Sequence, residues 1–214
     1  MASSLNASTA GGGGVIVTSD SSGNLNIQSG GSTVVAVTSA GATFTGTGKF
    51  ATTIGVGNAT PAASGSGITF PATQSASSDA NTLDDYEEGT FTPTVLGSTV
   101  AGTGTYGTQV AQYTKIGNRV SFNIYITWSN LTGATGNLQV GGLPFTTSAV
   151  ANSYGVVSVW SDNLTLPASS YLTAYTNINS LTFNLNGNVV AGGGAVNIAI
   201  DTSAGIMLGG SYSI

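Results

Sequence analysis

Hydrophobic and polar residues alternate most clearly in the second half of the chain, and this pattern predicts β-strands. Between Arg119 and Trp128 every second residue is apolar, which is typical of a strand with one face buried in a sheet. The predicted buried face consists of Val120, Phe122, Ile124, Ile126 and Trp128. Similar segments occupy residues 106–116, 138–140, 154–160, 171–175, 180–185, 195–200 and 206–214. Together they predict an all-β head over residues 89–214, built as a jelly-roll-like β-sandwich.

The first part of the chain carries shorter apolar runs, separated by turns rich in Gly, Ser, Asp and Asn. These runs cover residues 15–18, 25–28, 33–38, 42–45 and 49–54. Each has too few apolar side chains on one face to offset the roughly 1–2 kcal/mol of backbone entropy that every ordered residue loses. We therefore predict that three copies intertwine as a short trimeric β stem within residues 1–54. The side chains expected to face inward are Val15, Val17, Leu25, Ile27, Val35, Val37, Phe44 and Ile54. The alternative is an unstructured tether rich in Gly and Ser.

Residues 55–88 predict an extended connector that ends in an acidic junction. Pro61 and Pro71 lack the amide hydrogen that strand pairing uses, and small residues dominate around them. Five of the chain's eight acidic residues lie near the end of this segment: Asp79, Asp84, Asp85, Glu87 and Glu88. Three explanations stay open. Lys115 and Arg119 form salt bridges with the junction, the carboxylates face water, or a trimer gathers them around Ca²⁺.

The composition of the chain argues against nucleic-acid binding, catalysis and metal binding. Only 5% of the residues are charged, the net charge is −5, and the chain has neither His nor Cys. Because affinity for nucleic acid rests largely on basic patches, nucleic acid is not an expected partner. Without His or Cys the commonest catalytic bases and thiolate metal ligands are missing, and outside the junction the head has only Asp162 and Asp201 as acids. We therefore expect no enzyme activity, no cofactor and no metal centre.

The chain also lacks the features of an exported or membrane-spanning protein. No uncharged stretch is apolar enough for a membrane helix, so a membrane is not an expected partner. The first residues lack the positive and apolar regions of a secretory signal. Synthesis and assembly in a cytoplasm are the expectation.

Three segments carry a recognisable motif. Residues 81–93 read Asn-Thr-Leu-Asp-Asp-Tyr-Glu-Glu-Gly-Thr-Phe-Thr-Pro, residues 113–120 read Tyr-Thr-Lys-Ile-Gly-Asn-Arg-Val, and residues 141–145 read Gly-Gly-Leu-Pro-Phe. This set resembles the C-terminal head domain of tailed-bacteriophage fibre and spike-like virion proteins. Residues 1–15 and 23–31 are similar to the shaft-forming parts of such proteins. The resemblance implies a homotrimeric virion protein, assembled in the host cytoplasm, with a β stem and a distal head.

Two functions fit this resemblance. The first is a structural one, in which the N-terminal residues dock on a capsid or other virion protein and the trimer decorates or cements the capsid as a head fibre. Because the chain begins almost directly in shaft-like repeats, this function is favoured. The second is a tail fibre or spike whose head binds host-surface glycans through aromatic rings. The candidate glycan-binding residues are Tyr125, Tyr154, Trp160, Tyr171 and Tyr175, for which packing in a core or between subunits is the alternative role.

Overall fold

The computed structural model describes residues 25–45, 47–73, 77–79 and 81–214. These residues form β-strands joined by turns and loops, and none of the described residues is helical. The all-β prediction is confirmed. The described residues accordingly include no helix that is able to cross a membrane.

The described strands are numbered in chain order. They are β1 (Leu25–Ser29), β2 (Ser32–Thr38), β3 (Gly41–Phe44), β4 (Thr53–Gly55), β5 (Gly67–Thr69), β6 (Glu87–Phe91), β7 (Thr94–Gly97), β8 (Thr103–Ile116), β9 (Arg119–Thr132), β10 (Leu138–Gly141), β11 (Val156–Asp162), β12 (Ser170–Thr176), β13 (Thr182–Val189), β14 (Ala195–Asn197) and β15 (Ala204–Ser213). Within this set, β1–β3 form a three-stranded sheet, β4 and β5 a two-stranded sheet, and the other strands a ten-stranded sheet.

The ten-stranded sheet provides the core of the head. Its hydrogen-bonded order is β6-β8-β9-β15-β11-β12-β13-β10-β7, and β14 pairs with β13 beside this path. The C-terminal strand β15 is therefore inserted between β9 and β11. Because the ladder continues through β11, a single curled sheet supplies both layers of the sandwich-like head.

The two layers meet in a tightly packed interior. The aromatic rings of Phe122 on β9 and Phe183 on β13 lie 4.9 Å apart between centroids, and both side chains are almost fully buried. In β9, burial alternates as the sequence predicts, since each of the five apolar positions from Val120 to Trp128 is buried. The two-residue turn at Gly117 and Asn118 links β8 to β9, and the positive φ of Gly117, 53°, is a backbone conformation that glycine adopts at little cost.

The three-stranded sheet collects its apolar side chains on one face. In the antiparallel register Leu25 lies opposite Val37, and Ile27 lies opposite Val35. Val37 in turn lies opposite Ala42, and Val35 opposite Phe44, so two rows of apolar side chains cross the sheet. We call these six residues the stem face. Most of it is open to solvent in the single chain, with Phe44 58% exposed and Ile27 51% exposed.

Three of the predicted inward-facing stem residues do not belong to the described stem face. Val15 and Val17 lie outside the described residues. Ile54 belongs to β4 and is half-buried rather than part of the stem face. The trimeric state of the stem stays a prediction.

The described chain divides into two compact units. One lies within residues 25–54 and 62–67, and the other within residues 55–61 and 68–214. The predicted division into stem, connector and head is not tested by this partition and stays a prediction. The connector contains the short strand β5, and the acidic motif at its end continues into β6.

Candidate functional site

The five acidic side chains of the junction have separate hydrogen-bonding environments. Asp79 accepts a hydrogen bond from the backbone N–H of Asn81 at 2.9 Å, and Asp84 accepts one from the backbone N–H of Ser77. Glu88 accepts from the Tyr86 hydroxyl. Two of the five therefore stabilise loop backbone, which is a common role of Asp beside turns.

Lys115 is the buried cation of this region. Its side chain on β8 is 2% exposed, and its Nζ lies 3.6 Å from Oδ2 of Asp85, which is 11% exposed. The ammonium group also lies 5.8 Å from the centroid of the Phe145 ring, within cation–π range. Lys115 thus connects the loop before β6 to the interior of the head.

Arg119 has different partners from those predicted. Its guanidinium donates to the hydroxyl of Ser211 at 2.6 Å and to that of Ser213 at 3.4 Å. The reason is register, because Arg119 lies opposite Ser213 in the β9–β15 ladder, one row from Ser211 on the same face. The described contacts of Arg119 therefore join two strands of the head instead of joining the head to the acidic junction.

Tyr113 on β8 is the hydrogen-bond partner of Glu87, the fifth acidic residue of the junction. Its hydroxyl donates to Glu87, and its ring packs edge-on against Phe145 with centroids 5.3 Å apart. The hydrogen bond to Glu87, followed by burial and the negative charge of Glu87, raises the pKa of Tyr113 to about 12. The pKa of Tyr86 is raised mainly by its hydrogen bond to Glu88. Burial, opposed by a hydrogen bond to the Phe145 carbonyl, raises the pKa of Tyr212.

The candidate glycan-binding aromatics fall into separate groups. Tyr125 and Trp160 belong to one row across the outer face of the first layer. Along this row, Met207 lies between Tyr125 and Trp160, and Val110 lies on the other side of Tyr125. We call Val110, Tyr125, Met207 and Trp160 the outer row. All four are exposed, with values from 42% for Tyr125 to 62% for Val110, and they line a depression of about 490 Å³.

Tyr154 and Tyr175 form the second group, on the outer face of the second layer. Their rings pack edge-on with centroids 6.1 Å apart beside a depression of about 440 Å³. The rest of the lining of this depression is mixed, with the polar residues Thr173, Asn177, Asn186 and Asn188 and the apolar residues Val156, Ala174 and Ala195. We call it the tyrosine–asparagine depression. Tyr171 lies on β12 opposite Asn188 and is 56% exposed.

Asn186 is the unusual member of that depression. It is 94% buried, and its Nδ2 donates to Oδ1 of Asn197 at 3.1 Å. Its own Oδ1 is buried without a hydrogen-bond partner among the described residues. Buried polar atoms normally have a partner, so this amide is the polar group of the depression least satisfied by the chain itself.

Sequence reasoning missed several residues of these sites. Val110 and Met207 were not singled out, although each occupies the outward-facing position of its strand. Asn186 and Asn188 alternate with the inward-facing Leu185 and Gly187, and that period-two pattern is the signal that places them together.

Comparisons with known proteins show a likeness in fold. No protein-family profile matches the chain, and no curated protein matches it. Among solved structures, the chain is similar to the crystal structure of the Dettilon tailspike protein. The match has a TM-score of 0.51 and 20% sequence identity, and it covers 75% of this chain. It spans 31% of the tailspike chain, so the likeness concerns less than a third of that protein.

Proposed function

We propose that this protein is a trimeric structural component of a bacteriophage virion, a fibre or spike whose β stem carries the curled-sheet head. The observation that carries the proposal is the stem face. It consists of two apolar cross-strand rows that nothing within the described residues of their sheet covers. The fold likeness to a phage tailspike supports a place in the virion.

A second copy of the same sheet is the partner that suits this face. An apolar surface of this kind, left in water, is an aggregation hazard unless it has a defined partner. Residues 25–45 contain no charged side chain, so identical copies approach without electrostatic repulsion. Three sheets around one axis place apolar side chains against apolar side chains, and each buried Val, Leu, Ile or Phe contributes about 1.5–3 kcal/mol.

The place of the trimer on the virion distinguishes the two structural roles. The likeness to a tailspike favours the tail, and decoration or cementing of the capsid is the other role. Counting this chain by quantitative mass spectrometry of intact particles separates them. A few copies per particle support a tail fibre or spike, and a number comparable with that of the major shell protein supports capsid decoration.

Val37→Asp tests the trimer in the full-length protein. Val37 lies in the middle of the stem face, and a buried, unpaired carboxylate costs several kcal/mol. We expect sedimentation and light scattering to give a trimer for the natural chain and a monomer for this variant. Thr43→Asp is the matched control, because Thr43 lies opposite Ala36, on the other face of the same sheet. Normal trimers of the Val37→Asp variant would contradict the proposal.

The tyrosine–asparagine depression favours a second candidate function, binding of a host-surface glycan by the head. Sugar rings pack on aromatic side chains, and their hydroxyls exchange hydrogen bonds with amides and hydroxyls. This depression offers both, with Tyr154 and Tyr175 beside Thr173 and Asn188. We propose binding without hydrolysis, since no His is available and Asp201, one of the two acids of the head outside the junction, accepts a hydrogen bond from the backbone N–H of Thr165.

Tyr175→Ala tests glycan binding. Calorimetric titration with surface polysaccharide from the host should show a loss of affinity of about tenfold, which corresponds to about 1.4 kcal/mol, because the variant lacks the ring on which the sugar packs. Tyr125→Ala, in the outer row, is the control expected to leave affinity unchanged. Equal binding by the Tyr175→Ala variant and the natural chain, or release of reducing sugar by the natural chain, would contradict this function.

A further inference from the structure

The outer row is an apolar strip at the centre of a polar sheet face. Val110, Tyr125, Met207 and Trp160 are consecutive cross-strand neighbours on β8, β9, β15 and β11. The row on one side of it is polar, with Gln112, Asn123, Gly209 and Ser158. An apolar centre containing Trp, Tyr and Met, with a polar rim, is the usual anatomy of a protein–protein interface.

Glycines on β15 keep this face flat on both sides of Met207. Gly205 and Gly209 point to the same side of the sheet as Met207. Gly205 is buried within the chain, and a Cβ there would lie 3.4 Å from Cγ2 of Thr127 and 3.9 Å from Cβ of Asp162. A Cβ at position 209 would be somewhat tighter, 3.1 Å from Oδ1 of Asn123. Without side chains at these two positions, Met207 is the side chain of β15 that stands out on this part of the face.

We infer that the outer row is a contact between heads of the trimer, facing the threefold axis and covered by the same row of the other two copies. This inference rests on the proposed trimer. The stem holds three heads together at high effective concentration, so a contact of modest strength is sufficient to form. The row carries no charge in a chain with a net charge of −5, which favours a neutral partner such as a second copy of the row over a basic one.

A single introduced cysteine tests the inference in the full chain, because the natural chain has no Cys. Residues next to a threefold axis lie near their own copies, and a disulfide forms when the two Cβ atoms are about 3.5–4.5 Å apart. After mild oxidation, we expect Met207→Cys to give disulfide-linked dimers from two of the three chains in each trimer. Tyr171→Cys, an exposed aromatic position on β12, is the matched control and should stay largely unlinked.

The outcomes separate this inference from the proposed trimer. A trimeric Met207→Cys variant that links no more than the Tyr171→Cys variant overturns the outer-row contact and leaves the stem trimer standing. A monomer before oxidation overturns both. A second variant, Trp160→Lys, gives an independent reading. It should lower the midpoint of thermal dissociation of the trimer if the row is covered, and an unchanged midpoint would count against the contact.

Discussion

The two larger sheets of this protein differ in what covers their apolar faces. In the ten-stranded sheet, Phe122 is 3% exposed because the sheet curls and its second layer packs on the first. In the three-stranded sheet, Phe44 occupies an equally regular row and is 58% exposed. Alternation of apolar and polar residues therefore defines an apolar face in both sheets, and only the longer sheet provides its own cover.

Size explains this difference. A sheet of three short strands has no second layer to fold over its apolar face, and small sheets are rarely stable without packing against another element. The head has enough strands to form two layers and bury Phe183, Leu185 and Ile206 completely or nearly so. The same amino-acid pattern thus produces a self-contained core in one region and, in the other, an exposed apolar face, which we propose as the assembly surface.

The largest expected effect of a single substitution is that of Phe183→Ala in the head. Phe183 is fully buried against Phe122, so its removal leaves a cavity and should lower the free energy of unfolding by about 3–5 kcal/mol. Phe44→Ala, the matched change in the stem face, should leave the head's unfolding unchanged and weaken assembly instead. Urea unfolding followed by Trp fluorescence measures the first effect, and sedimentation the second. A similar loss of head stability from both variants would erase the distinction between the sheets.

A smaller loss is expected when the buried ion pair is broken. Asp85→Ala leaves the ammonium of Lys115 buried beside Phe145 without its carboxylate partner. Such unpaired buried charges cost about 3–5 kcal/mol, and the slight exposure of Asp85 places this variant at or below the lower end. Arg119→Ala, which removes an exposed cation bonded to serine hydroxyls, should change the free energy of unfolding by less than about 1 kcal/mol.

Comparing the stability losses of Asp85→Ala and Arg119→Ala shows whether the Lys115–Asp85 pair anchors the loop before β6. If Asp85→Ala and Arg119→Ala destabilise the head equally in urea unfolding, the Lys115–Asp85 pair has no special structural role. If Asp85→Ala alone has the larger effect, the loop before β6 is anchored to the head by this contact.

The alternation of apolar and polar residues predicted where the strands lie in the sequence better than it predicted which strands pair in the sheet. The alternation from Val120 to Trp128 identified the buried face of β9 correctly, because side-chain direction in a strand follows from backbone geometry. The insertion of β15 between β9 and β11 depends on pairing between distant segments, which no local period encodes. For that reason the outer row, which draws one residue from each of four strands, was not predictable as a unit.

The acidic junction shows the same limit. Its composition left salt bridges, solvated carboxylates or bound Ca²⁺ as explanations, and it did not indicate that Glu87 and Glu88 begin strand β6 and are aligned with β8. Lys115 shares the inward-facing side of β8 with Ala111 and Tyr113, and this alternation was the available signal for its burial. The sequence placed a partner of Lys115 among the acids of the junction. Which of them pairs with it depends on the loop, where a positive φ of 49° at Asp85 shapes the backbone that carries the carboxylate.

The smallest expected effect is a change in alkaline stability at Tyr113. Because its pKa is about 12 in the folded chain and 10.0 for an unperturbed tyrosine, the folded state keeps the proton when the unfolded state has lost it. The stabilisation from this group is therefore complete below pH 10 and is lost as pH rises from 10 to about 12. Tyr113→Phe should remove part of that decline, while at neutral pH it should cost only the roughly 0.5–1.5 kcal/mol of one hydrogen bond. Urea unfolding of both chains across this pH range measures the slope. Since Tyr86 and Tyr212 also have raised pKa values, a residual slope is expected, and an unchanged slope in the variant would show that Glu87 does not hold the Tyr113 proton.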